Sequence, residues 1–128
     1  MLRARRALQV ALRVAAAVLV GCSPRLAQAH AIVVTAQPAM NAMVAQGNLD
    51  IRLDFNSRID QRRSRLSLRR PDGSFAAVAL APDAPPNALI GRAQVTTGGR
   101  WSLDWQVLSV DGHITRGELI FFVADRAP

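Results

Sequence analysis

The chain contains two histidines, His30 and His113, in different settings. His30 directly follows Ala27-Gln28-Ala29, with small residues at both positions that a leader peptidase reads. A chain cut there begins with a histidine, which offers two nitrogens at once: its free α-amine and its ring Nδ1. Together these close a chelate ring on a metal ion. His113 ends the string Ser109-Val110-Asp111-Gly112-His113, in which Asp-Gly marks a tight turn. Asp111 and His113 are two apart, so in an extended segment they point to one side. A second imidazole and a carboxylate complete a nitrogen-rich tetragonal set. Such a set suits Cu²⁺, which also heads the divalent affinity order; Zn²⁺, with its tetrahedral preference, is the second choice. Taken singly each signal is weak, because Asp-Gly alone marks hairpins and a turn histidine is usually incidental. The combination carries the reading, and it requires the first strand to lie beside the turn.

Residues 1–29 read as a signal peptide. Arg3, Arg5, Arg6 and Arg13 precede or open an apolar stretch, Val14 to Cys22, that Pro24 ends. That stretch is too short to span a bilayer, which takes ~20 residues, and no second one follows, so no transmembrane span is expected in the mature chain. The domain is then 30–128, exported to the periplasm. Leu19-Val20-Gly21-Cys22 also fits the pattern of a lipoprotein peptidase, which would anchor the chain through an acylated Cys22 and leave His30 internal. Cys22 is the single cysteine, so under either cut residues 30–128 hold no disulfide and stability must come from packing.

The formal charge of +7 is concentrated at the front. Five of the sixteen basic residues lie in 1–29 with no acid; the remaining eleven arginines face all nine acids, a net of +2. A nucleic-acid partner needs a concentrated basic face. The only candidate, Arg62, Arg63, Arg65, Arg69 and Arg70, reads as a solvated loop-and-strand face, so no nucleic acid is expected.

The elements that must position the histidines are strands. Ile32–Thr35 is a short β-branched run. Pro38–Asn41 is a turn, with Asn41 suited to a left-handed backbone. Leu49, Ile51, Leu53 and Phe55 alternate with Asp50, Arg52 and Asp54, the period of a half-buried strand. Leu66 and Leu68 continue the pattern before the Pro71-Asp72-Gly73 turn. Phe75–Leu80 and Leu89–Val95 are further strands, separated by a proline-rich loop. Trp101, Leu103, Trp105 and Val107 share one parity and are expected in the core. Glu118–Val123 is apolar on both faces, as in a central strand. About seven short strands with turns every 8–12 residues suggest an all-β, immunoglobulin-like sandwich.

His30-Ala31, Pro38-Ala39, Trp105, Ser109-Val110-Asp111-Gly112-His113, Gly117 and Phe121-Phe122-Val123 together resemble the CopC family of periplasmic copper-binding proteins. The likeness spans nearly all of 30–128, and its most specific parts are the histidine after the signal peptide and the W-x-x-x-S-x-D-G-H string. The resemblance implies a Greek-key β-sandwich. It implies one Cu²⁺ held by the amine and ring of His30 and by His113, with Asp111 as a closing or axial group. It also implies a role in copper resistance or handling, beside an inner-membrane partner of the CopD type. Asn41 stands where members usually have Gly, and Trp101 where they have Tyr; both changes are physically mild. Some members carry a methionine-rich loop for Cu⁺. Here Met40 and Met43 are expected to fill core or pack a turn, and no dedicated Cu⁺ site is expected.

A metal-binding protein without turnover, not an enzyme, is the first functional reading. An oxidative copper enzyme would need an open coordination position and a substrate surface, for which the chain has no tyrosine and little insertion. The remaining alternative is an immunoglobulin-like adhesion or assembly module whose histidines are incidental.

Overall fold

The computed structural model describes residues 31–126. The expected signal peptide, Cys22 and His30 lie outside the described residues. Eight strands run in order: β1 Val33–Gln37, β2 Met43–Val44, β3 Gly47–Phe55, β4 Ile59–Arg69, β5 Phe75–Ala77, β6 Ala88–Val95, β7 Gly99–Ser109 and β8 Ile114–Val123. They form two sheets, β1-β3-β6 and β2-β8-β7-β4-β5. All pairings are antiparallel except β2 with β8. The β-sandwich expected from the strand pattern is therefore present. One strand more than anticipated occurs among the described residues: β2 has only two residues, too few to show a period.

The core forms where the alternating faces of the two sheets meet. Leu49, Ile51, Leu53 and Phe55 from β3 are all buried, as are Leu66 and Leu68 from β4 and Leu103 and Val107 from β7. Asp50 and Arg52 point outward. Trp101 is 1% exposed, and its indole nitrogen donates to the Thr97 carbonyl at 2.9 Å, so the ring's polar tip is satisfied. Asn41 adopts the left-handed backbone expected of it, at φ 61°.

Three expectations need correction. Phe75–Leu80 is not one strand. Phe75–Ala77 pairs with β4 in the larger sheet, whereas Leu80 bridges Gly91 of β6 in the smaller one. The segment crosses between sheets, and a run of apolar residues does not reveal which sheet each belongs to. Trp105 has the predicted parity but is only partly buried. It lines a shallow groove with Val33, Ala36, Ala39, Met40 and Leu119, because β1 is the edge of the narrower sheet and covers it incompletely. Met40 and Met43 are 66% and 67% exposed, which rules out the core half of the expectation and leaves turn packing.

Gly117 faces Trp105 across the β7–β8 ladder. A Cβ on Gly117 would run into the indole at Trp105 Cζ2 and Cε2. Elsewhere in a strand, alanine would be favoured over glycine by roughly 0.5–1 kcal/mol. Here Gly117→Ala should instead destabilise by ~1–3 kcal/mol through overpacking. Combined with Trp105→Leu, the pair should cost at least ~0.5 kcal/mol less than the sum of the single changes. Denaturant unfolding of the three variants measures this, and strict additivity would refute the contact.

Candidate metal centre

The β7–β8 hairpin turns through Val110-Asp111-Gly112-His113. Gly112 donates its amide to the Ser109 carbonyl at 2.9 Å, and Ser109 donates to the His113 carbonyl at 2.8 Å. Gly112 sits at φ 91°, which explains the Asp-Gly signal: a Cβ there would strain the turn. The turn holds both candidate ligands on one side. The His113 amide donates to Asp111 Oδ1 at 3.3 Å, and His113 Nδ1 stands 3.2 Å from Asp111 Oδ2. Hydrogen bonding from the His113 ring, then from its amide, holds the Asp111 carboxyl below the usual carboxylate range.

This geometry gives the two residues distinct chemical capacities. With Nδ1 turned to the carboxylate, the imidazole presents Nε2 outward as a free donor to a metal. A carboxylate behind a ligating histidine fixes its tautomer and its orientation. Asp111 is thus arranged to orient His113, with its remaining lone pairs still open to solvent. The side chains are 62% and 41% exposed, so an incoming ion meets no barrier.

The start of the described chain reaches the same end of the sandwich. Asn56 holds it there by a reciprocal pair: Ile32 donates its amide to Asn56 Oδ1 at 2.9 Å, and the Asn56 amide donates to the Ile32 carbonyl at 2.9 Å. Ala31 is buried in the core cluster. Three residues on, Ile59 pairs with Ser109 at the root of the hairpin turn. The β3–β4 loop therefore has the chain start on one side and the Asp111–His113 turn on the other. His30 is outside the described residues, and among the described residues no group of three His, Cys, Asp or Glu side chains gathers around one point. Those residues supply two members of the expected set.

Sequence reasoning passed over Asn56. Its only signal was a polar residue after an apolar strand, and its partner lies 24 positions away. Also unanticipated are the buried hydroxyls of Ser57, Ser109 and Thr115, which have no hydrogen-bond partner among the described residues. Ser57 follows Asn56 in the β3–β4 loop, and Ser109 and Thr115 flank the hairpin turn, so all three belong to this end of the molecule.

The chain matches the family profile of the CopC domain over residues 33–124. It is similar to protein YobA of Escherichia coli K12, at 29% identity over 98 residues, covering 74% of this chain and 79% of that protein. Among solved structures it resembles CopC from Methylosinus trichosporium OB3b, with a TM-score of 0.67 and 24% identity over 77% of this chain and 98% of that one. It also resembles PcoC, a methionine rich copper resistance protein from Escherichia coli, with a TM-score of 0.59 and 25% identity over 75% of this chain and all of that one. A family match that runs from the first strand to the residue after the last leaves one conclusion: this chain belongs to the CopC family.

Proposed function

We propose that this protein binds one Cu²⁺ ion per chain in the periplasm and serves copper resistance, buffering or transfer without catalytic turnover. The observation that carries the reading is that the chain start at Ala31–Ile32 and the Asp111–His113 turn lie at one end of the sandwich, on either side of the β3–β4 loop. Membership of the CopC family and the likeness to a copper resistance protein support copper as the metal.

In this reading residues 1–29 are a signal peptide and cleavage makes His30 the first residue. Its α-amine and Nδ1 chelate the ion, His113 Nε2 supplies the third nitrogen, and Asp111 orients His113 and closes the set. Three nitrogens and a carboxylate match the tetragonal preference of Cu²⁺. Copper is cargo here, and an inner-membrane protein of the CopD type is its proposed exchange partner.

The decisive test is Cu²⁺ affinity, by competition, for the form beginning at His30 and for a form with one extra Gly in front. The extension keeps the imidazole and displaces the amine, so affinity should fall by orders of magnitude; equal constants would sink the brace. N-terminal mass spectrometry of the exported protein gives the companion result, since a first residue at an acylated Cys22 would overturn it equally.

Copper should raise the melting temperature of the mature protein. A ligand that binds only the folded state adds about 4 kcal/mol at a thousandfold excess over Kd. His113→Ala should remove most of that shift and leave the apo protein as stable as before, because the side chain is exposed. An undiminished shift would exclude His113. Asn56→Ala should cost the apo protein ~1 kcal/mol through the lost bond to Ile32. It should also weaken copper binding although Asn56 is no ligand; unchanged affinity would mean that the tether does not position the site.

A further inference from the structure

The two outer faces of the sandwich handle charge differently. On the three-stranded sheet the arginines are neutralised in place: Arg92 donates to Asp50 at 2.8 Å, and Arg52 pairs with Asp54 at 2.9 Å. On the five-stranded sheet, Arg69 lies between Asp104 at 2.9 Å and Glu118 at 3.6 Å. One step nearer the hairpin turn the carboxylates stop. Register places Arg65 of β4, Gln106 of β7 and Arg116 of β8 in one row across three strands. Neighbouring strands are ~4.8 Å apart, so the two arginines stand about 10 Å from each other. Gln106 Oε1 accepts from Arg116 Nε at 2.9 Å, which fixes that guanidinium and leaves the glutamine's NH₂ as its remaining polar group. The β4 irregularity between Asp60 and Arg65 adds Arg62 and Arg63 to the border of the row. Arg63 reaches Asp60 only at 3.7 Å; Arg62, Arg65 and Arg116 are exposed and have no acidic partner among the described residues.

The arginine run that reads from sequence as a solvated face is thus split by the fold. Arg69 is consumed by its acids and Arg70 bonds Ser74. Arg62 and Arg65 are joined instead by Arg116 from another part of the chain.

We propose that this row is a docking surface for a protein that presents a cluster of carboxylates. Every positive side chain of the molecule is an arginine, whose planar fork takes a carboxylate through two parallel hydrogen bonds. Arg116 is held ready for such a contact by Gln106. The row is bordered by Asp60, Asp104 and Glu118. A uniformly anionic bilayer or nucleic acid would meet those acids with repulsion, whereas a protein surface can match the pattern sign for sign. The next row toward the turn is Leu108–Ile114, so the partner would sit beside Asp111 and His113. That the partner gives or takes copper rests on the function proposed above; docking itself needs no metal.

The test uses the mature protein without copper, isotopically labelled, at low salt. The probe is a twelve-residue peptide with four central glutamates between terminal lysines. Amide shifts should centre on residues 62–65, 106 and 116. The Arg65→Gln/Arg116→Gln double variant should bind about two- to thirtyfold more weakly, as loss of two exposed ion pairs implies, while Arg92→Gln should bind as wild type does. The double variant should keep its melting temperature and its Cu²⁺ affinity, which separates failure of docking from failure of the copper reading. Shifts spread equally over the Arg52–Arg92 face, no shift at all, or an undiminished affinity in the double variant would overturn the proposal. So would tighter binding to phosphatidylglycerol vesicles than to the peptide.

Discussion

The ladder between β7 and β8 is the constraint on which the rest of the molecule depends. Its register pairs Gly99 with Val123 and runs without interruption to Leu108 with Ile114. A slip of one residue would turn Trp101, Leu103 and Val107 outward and bring Ser102, Asp104 and Gln106 into the core. The same register seats Gly117 under Trp105, closes the turn that holds Asp111 against His113, and lines Arg116 up with Gln106 and Arg65. Core, candidate metal centre and arginine row are three readings of one hydrogen-bond pattern. Because residues 30–128 hold no cysteine, no disulfide among them shares that burden.

The smaller sheet has a different task. Its outer face is closed by its own ion pairs, and its inner face completes the core with Leu49, Ile51, Leu53 and Phe55. Its edge strand β1 is secured at one end by the Asn56 pair and along its length by Thr35, whose hydroxyl donates to Asp54 at 2.8 Å. Hydrogen bonding from the Arg52 guanidinium, then from the Thr35 hydroxyl, holds the Asp54 carboxyl below its ordinary range. The candidate metal-binding positions thus sit at one end of a scaffold whose smaller sheet is electrically quiet.

Much of this is legible in the sequence because sheets encode their faces locally. Alternation marked β3, β4 and β7, and Asp-Gly marked the turn before His113. What was hidden depends on pairing between distant segments. β2 is too short for a period and exists through its parallel contact with β8. The parity of Trp105 was plain, yet its partial exposure follows from the narrowness of the opposing sheet, which no local pattern reports. Asn56 and Arg116 acquire their roles from partners far along the chain. Asp111 and His113 could be read as a pair because both sit in one short string, whereas the placing of the chain start at the same end is a property of topology alone.

That topology also gives the two sides of the candidate metal centre different loop-closure costs. Asp111 and His113 are brought together by a hairpin with a four-residue turn, the kind of local closure that takes about 1–10 μs. The side reached by Ala31 and Ile32 waits on β1 joining β3, and β3 in turn pairs with β6 across separations as long as Gly47 to Val95. Such non-local pairings bear a larger loop-closure entropy. By loop closure alone, the aspartate–histidine turn is the less costly of the two sides to form. Of the pairings that build this end of the molecule, the β7–β8 hairpin closes the shortest loop, and the β1–β3 ladder, with partners 15 to 22 residues apart, closes a longer one.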